Sequence, residues 1–161
     1  VFFRSSTHEN WKLILVGVPG NSKNDDDSIQ IKDAIEEEGL SDKVILVGHC
    51  SDAELMTYYS EASGYVFPSY NEGFGLPLLE AMQFNLPIAA ANNTCLPEIG
   101  KEAAIYFDPF NMDETVHTIQ KIFHADEEVI KSISNQPSVL AQYSWNKAAL
   151  EISNICLGLM Q

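Results

Sequence analysis

Gly64-Tyr65-Val66-Phe67-Pro68-Ser69-Tyr70-Asn71-Glu72-Gly73-Phe74-Gly75-Leu76-Pro77-Leu78-Leu79-Glu80-Ala81-Met82 is the stretch that carries the reading of the fold. It opens as a continuous apolar run, passes through a polar, glycine-rich segment, and closes in an apolar pattern that Pro77 is suited to begin as a helix. A strand that is apolar on both faces belongs to a covered, parallel sheet. Its carboxyl end opens into a loop, and ligands of open α/β sheets bind beyond those ends.

The same strand-then-loop pattern recurs on either side. Residues 12–17 and 44–48 are apolar runs ending in Gly17 and Gly48, residues 87–91 give a fourth strand, and residues 103–107 a shorter fifth. Between them the apolar spacing is helical over residues 28–38, with Gly39 as a stop, and again from a cap at Ser51 or Asp52 to about Ala62. Residues 76–84, 113–123, 126 to about 134 and Trp145 to about Leu159 complete the helices. Strands alternating with helices predict an α/β chain with one doubly wound parallel sheet and helices on both faces. Only about eight residues precede the first strand, and they read as the tail of a helix. The expectation is therefore a single domain over residues 1–161, truncated near its start.

Composition narrows the partners. A chain of 161 residues, 45% hydrophobic and 20% charged, has enough apolar content for a buried core. Its net charge of −14 and single arginine, Arg4, argue against nucleic acid, which requires clustered cations. The acidic runs at residues 25–27, 36–38 and 126–128 adjoin helical patterns and read as solvated faces or helix starts. No apolar run approaches the length of a membrane helix. Cys50, Cys95 and Cys156 are odd in number, lack metal-ligand spacing and sit in mainly apolar surroundings, which predicts reduced thiols in a cytoplasmic protein, with no disulfide and no zinc.

Chemistry concentrates in the opening stretch. Glu72 lies on the glycine-rich loop, and Glu80 stands about one turn into the following helix. Gly73 and Gly75 remove side chains where backbone N–H groups approach a ligand, and a helix start adds a positive partial charge. A diphosphate or a developing anion suits that place. A carboxylate just behind it accepts hydrogen bonds from a vicinal diol such as a ribose, while a loop glutamate reaches the hydroxyls of an attached sugar.

The run Glu72-Gly73-Phe74-Gly75-Leu76-Pro77-Leu78-Leu79-Glu80-Ala81-Met82 resembles the E-x7-E motif of the group 1, or family 4, retaining glycosyltransferases. Leu15-Val16-Gly17, Val47-Gly48-His49-Cys50-Ser51-Asp52 and Leu96-Pro97-Glu98-Ile99-Gly100 stand in that family's order and approximate spacing, so the resemblance extends from about Lys12 to Gln120. It implies the GT-B architecture of two Rossmann-like domains, of which this chain is the C-terminal half. It further implies hexosyl transfer, such as mannosyl or glucosyl, from a nucleoside diphosphate sugar to a glycan or lipid-linked acceptor with retention and without a metal or other cofactor. Glu72 is then the residue against the donor sugar and Glu80 the ribose ligand. The amides of Gly73, Phe74, Gly75 and Leu76 hold sugar and diphosphate. His49, Cys50 and Asp52 belong to the loop that cups the base, and Gly17 and Gly20 lie near the phosphates. The acceptor site falls to a partner domain outside this chain, so the chain alone is not expected to complete the transfer. The full-length enzyme is expected in the cytoplasm, peripheral to the inner face of the membrane.

Family members also carry an Arg and a Lys just upstream of the strand matching residues 12–17, and no such pair stands here. With a charge of −14, strong diphosphate binding by this chain alone is not expected. Plainer readings stand beside the sharp ones. Glu80 also suits a helix dipole, an effect worth about 0.3–1 kcal/mol. His49 reads as lining a pocket rather than as a catalyst, and His8, His117 and His124 as surface residues. Glu98 either caps a helix or orients a loop. Residues 25–27 look like a D-x-D metal motif without its setting. A sugar-nucleotide epimerase or phosphorylase of the same architecture remains an alternative, although no lysine is placed to hold a cofactor. So does a non-catalytic nucleotide-binding module, for which residues 25–27 would have to lie at a strand end. A nicotinamide site is excluded, because residues 17–22 do not supply G-x-G-x-x-G.

Overall fold

The computed structural model describes residues 11–17 and 26–159, and resolves two compact units, Val1–Ser60 and Glu61–Gln161. The expected helix tail at the start, His8, Arg4, Asp25 and the loop bearing Gly20 lie outside the described residues.

In the first unit β1 (Leu13–Val16) pairs in parallel with β2 (Val44–Val47), Leu13 opposite Val44 and Val16 opposite Val47. Parallel neighbours need a crossover, and α1 (Asp26–Glu37) supplies it. Gly39, at φ 64°, ends α1. Its N–H donates to the Glu36 carbonyl, and the Leu40 N–H reaches back to the Ile35 carbonyl at 2.8 Å. This is the two-bond stop that a left-handed glycine permits. Of the two caps considered for α2 (Asp52–Glu61), Ser51 is the one used. Its hydroxyl accepts from Glu54 N at 3.4 Å, and the Glu54 carboxylate accepts from Ser51 N at 2.8 Å. The apolar strands here are less covered than their composition suggests: Ile14 and Ile45 are each 41% exposed.

The second unit holds β3 (Tyr65–Phe67), α3 (Leu76–Gln83), β4 (Ile88–Ala91), α4 (Leu96–Gly100), β5 (Ile105–Phe107), α5 (Met112–His124), α6 (Glu127–Leu140) and α7 (Trp145–Leu159). Its strands form one parallel sheet in the order β3-β4-β5, so all three carboxyl ends lie at one edge. Every residue of central β4 is buried, as a strand covered on both faces requires. Leu78 and Met82 from α3, Phe107 from β5, Ile122 from α5 and Val129 and Val139 from α6 are buried in the core.

Several boundaries differ from those expected. Pro68 and Pro87 fall outside the strands, since proline has no N–H for the ladder. The fifth strand starts at Ile105, because residues 101–103 form a single 3-10 turn after α4. The longest difference is α6, which continues past residue 134 to Leu140 and passes through Pro137. The loss of one backbone hydrogen bond at a proline is outweighed by burial along the helix: Val129, Ser132, Gln136 and Val139 recur at the helical period on its inner face. Trp145, Leu150, Ile152 and Ile155 of α7 are all exposed. Cys156, read from apolar neighbours in sequence, is therefore on the surface, whereas Cys50 and Cys95 are half-buried. Among the described residues no helix is long and apolar enough to cross a membrane.

Gln136 joins three parts of the second unit. Its side chain is buried, and Nε2 donates to the Leu86 carbonyl at 2.7 Å and, more weakly, to the Ala103 carbonyl at 3.4 Å. It thus holds the approach to β4 and the turn before β5 against α6. Removing the donor leaves a buried carbonyl unpaired, at about 1–3 kcal/mol. Gln136→Ala is expected to lower the unfolding free energy by that amount or more in urea titration. Gln136→Glu, which at neutral pH has no proton to donate, is expected to cost at least as much; an unchanged midpoint in both variants would contradict this role.

Candidate functional site

The loop between β3 and α3 is shaped by one backbone conformation. Gly75, the residue preceding α3, has φ 91° and ψ 43°, a left-handed geometry that costs any residue with a Cβ. A Cβ there would also stand 2.7 Å from Leu96 Cδ2 and 3.8 Å from Phe67 Cε1. Gly75 is buried, and the Leu78 N–H closes the first turn onto its carbonyl at 3.0 Å. Gly73 is different. It is exposed, and a Cβ at that position would meet nothing within 4 Å. Gly75 is thus required by the fold, while Gly73 leaves open backbone on the solvent side.

Gly75, at the N-cap of α3, has no side chain to cap the helix, and Pro77 occupies its first turn. The positive end of the helix therefore remains for an external acceptor. Glu72 precedes this start and Glu80 follows it by just over one turn, both half-buried. Glu72, Gly73, Phe74 and Gly75 lie in the loop that follows β3, and Leu76 and Glu80 lie on α3. Glu80 lines a cleft of about 820 Å³ with Phe74, Leu76, Tyr143, Trp145 and Lys147. The Phe74 ring meets Tyr143 edge-on, with centroids 5.9 Å apart. Tyr143 in turn donates its hydroxyl to the Ile99 carbonyl at 3.3 Å, and burial, followed by the negative charge of Glu98, raises its pKa. Glu98 itself lies in the first turn of α4.

Two further side chains hold the Glu72 loop, and both come from the turn after β4. Asn93 Nδ2 donates to the Tyr70 carbonyl at 2.9 Å, and the Cys95 thiol donates to the Glu72 carbonyl at 3.3 Å. They grip the main chain on either side of Asn71. Between them Thr94 takes a left-handed φ of 49°, a conformation costly for a β-branched residue. Sequence reasoning did not single out Asn93, Cys95 or Tyr143. For Asn93 and Cys95 the available signal was position, because residues 92–95 follow a strand whose carboxyl end faces the same edge as β3.

The remaining expected site residues belong to the first unit. The Gly17 N–H donates to the Val47 and Gly48 carbonyls, each at 3.2 Å, which ties the end of β1 to the end of β2. His49 is exposed, Cys50 half-buried, and Asp52 opens α2. Hydrogen bonds from the Ser51 side chain, then from its backbone, hold the exposed Glu54 carboxyl below its usual range, and His49 adds to this. His117 and His124 lie on the surface, as expected. Among the described residues no three His, Cys, Asp or Glu side chains cluster as a metal site.

Comparison with known proteins shows the family. Residues 2–138 match the family described as glycosyl transferases group 1. The chain is 30% identical over 151 residues to O-antigen chain mannosyltransferase B of Escherichia coli, covering 92% of this chain and 38% of that protein. Among solved structures it resembles sucrose-phosphate synthase of Thermosynechococcus elongatus, with a TM-score of 0.79 at 27% identity, over 92% of this chain and 38% of that one. It shares its fold with HepE of Anabaena, solved with UDP, at a TM-score of 0.77 and 20% identity, over 92% of this chain and 41% of HepE. The chain thus spans well under half the length of these relatives.

The two glycines should respond differently to a methyl group. Gly75→Ala is expected to lose about 1–2 kcal/mol to backbone strain alone, and more from the clash with Leu96, whereas Gly73→Ala should leave the thermal midpoint nearly unchanged. Equal destabilisation by both would refute the division of roles. At the Ser51 cap, the folded Glu54 has the lowered pKa, so its contribution is present above the ordinary glutamate range and fades as pH falls through the folded value. In NMR titration the Ser51 amide shift should track Glu54, and Glu54→Gln should abolish that dependence.

Proposed function

This chain belongs to the group 1 glycosyl transferases, and from that membership we propose that it is the donor-binding part of an enzyme that transfers a hexosyl group, with retention, from a nucleoside diphosphate sugar to a glycan or lipid-linked acceptor. One arrangement carries the reading. Glu72 and Glu80 flank a helix start whose N-cap, Gly75, offers no capping side chain, with open backbone at Gly73 between them.

In this proposal the diphosphate lies at the positive end of α3, where backbone N–H groups of Gly73, Phe74, Gly75 and Leu76 donate to it. Charge developing on the leaving diphosphate is met by dipoles already in place, which need not reorient during the reaction. Glu80 accepts from the ribose hydroxyls and Glu72 from the donor sugar. Gly17, Gly20, His49, Cys50 and Asp52 contribute the phosphate-side and base-side loops. The acceptor site and the cations that balance the diphosphate come from sequence beyond this chain, and the transfer requires no metal. The mannosyltransferase named among the relatives makes mannose a reasonable first sugar to test. HepE, which shares the fold, holds UDP. We also place the enzyme in the cytoplasm, peripheral to the inner face of the membrane.

Calorimetric titration with UDP-, GDP- and ADP-sugars tests the donor site directly. Loss of hydrogen bonds to a charged group is worth about 1.5–3 kcal/mol, so Glu80→Ala should weaken nucleotide-sugar binding by roughly 10- to 150-fold. Undiminished affinity would remove Glu80 from the ribose role. In the full-length enzyme Glu72→Gln should depress turnover far more than donor affinity, and treatment with a chelator should leave turnover intact.

A further inference from the structure

Two unfavourable features sit side by side in the turn after β4. Thr94, which is exposed, holds a left-handed φ of 49°, where a β-branched side chain is strained. In the residue before it only half of the amide is used. Asn93 Nδ2 donates to the Tyr70 carbonyl at 2.9 Å, whereas Oδ1 is buried and meets no donor among the described residues. A buried acceptor in that state has given up hydration without gaining a protein bond. The amide is therefore oriented for Tyr70, and neither feature adds to the core.

What the turn achieves is a hold on the loop that carries Glu72. Cys95, on the other side of Thr94, donates its thiol to the Glu72 carbonyl at 3.3 Å. Between these two bonds the Asn71 carbonyl accepts weakly from the Ser69 hydroxyl at 3.5 Å. The carbonyls of Tyr70, Asn71 and Glu72 are thus each met by a side-chain donor, two of them from a turn 23 residues away. Glu72 needs this support. Asn71 before it and Gly73 after it are exposed, and a Cβ at Gly73 would meet nothing within 4 Å, so packing does little to fix the backbone there.

We propose that residues 93–95 are a positioning clamp for Glu72. The left-handed Thr94 aims Asn93 and Cys95 at the carbonyls of Tyr70 and Glu72, and the backbone so fixed sets where the Glu72 side chain stands toward the donor sugar. Asn93 and Cys95 are positioning residues that act on the transfer through Glu72. Their effect falls on turnover, because misplacing a reacting group by about 1 Å can cost about 100-fold in rate, while donor contacts at Glu80 and the start of α3 stay in place. The link to turnover rests on reading Glu72 as the residue against the donor sugar; the hold on the loop does not.

The test pairs backbone relaxation in the whole chain with kinetics of the full-length enzyme. In Asn93→Ala and Cys95→Ala the 15N order parameters at Glu72 and Gly73 should fall from about 0.85, typical of rigid backbone, toward about 0.6. Both variants should lower turnover about 10- to 100-fold with donor affinity unchanged, and Cys95→Ser, which keeps a donor, should recover most of the loss. Thr94→Gly, which relieves the strain but frees the turn, should raise the thermal midpoint and lower turnover; a turn with a structural role alone would gain stability and keep its turnover. In a Glu72→Gln background Asn93→Ala should cost little more, since both act at one point. With Glu72→Gln impaired, unchanged turnover in both alanine variants, losses that add fully to that of Glu72→Gln, or donor affinity falling in step with turnover overturns the clamp and spares the donor site. Wild-type turnover in Glu72→Gln refutes the reading of Glu72 and the clamp's part in catalysis together, and the order parameters then decide the hold on the loop by themselves.

Discussion

The left-handed backbone at Gly75 is the constraint on which the site depends. It turns the chain from β3 into α3 within a space closed by Leu96 and Phe67. The direction of the helix start, the register of Glu80 on the first turns, and the side of the loop on which Glu72 emerges follow from that single conformation. A residue with a Cβ would strain the turn and displace Leu96, and through Leu96 the start of α4.

The same edge is secured from two other directions. Asn93 and Cys95 hold the carbonyls of Tyr70 and Glu72, so the turn after the neighbouring strand pins the loop. Behind it, Gly100 lies where a Cβ would strike the Tyr106 hydroxyl and stand 2.7 Å from Leu78 Cδ2, so α4, β5 and α3 meet without room to spare. Burial, then the charges of Glu102 and Tyr143, raises the pKa of Tyr106, whose hydroxyl donates to the Leu96 carbonyl. Rigid packing below and an uncapped helix above make a preorganised site on a stable base.

The strong acidity of the chain bears on how such a site works. Backbone dipoles at the start of α3 face the proposed diphosphate, Lys147 lines the same cleft as Glu80, and the net charge of −14 opposes its approach.

The alternation of strands and helices, the parallel pairing, the stop at Gly39, a cap at Ser51 or Asp52 and the run from Glu72 to Glu80 were legible in the sequence. Each rests on spacing or on contacts a few residues apart, which a linear pattern records. The extension of α6 through Pro137 was hidden, because local propensity argues against it and only burial of Gln136 and Val139 outweighs that. The distinction between Gly73 and Gly75, the grip of Asn93 and Cys95 on a loop 23 residues away, and the reach of Gln136 to a carbonyl 50 residues distant were decided by tertiary structure alone. Sequence determined which groups were present and in what order. Which of them touch depended on how the layers packed, since a hydrogen bond between distant residues leaves no trace in the spacing of either.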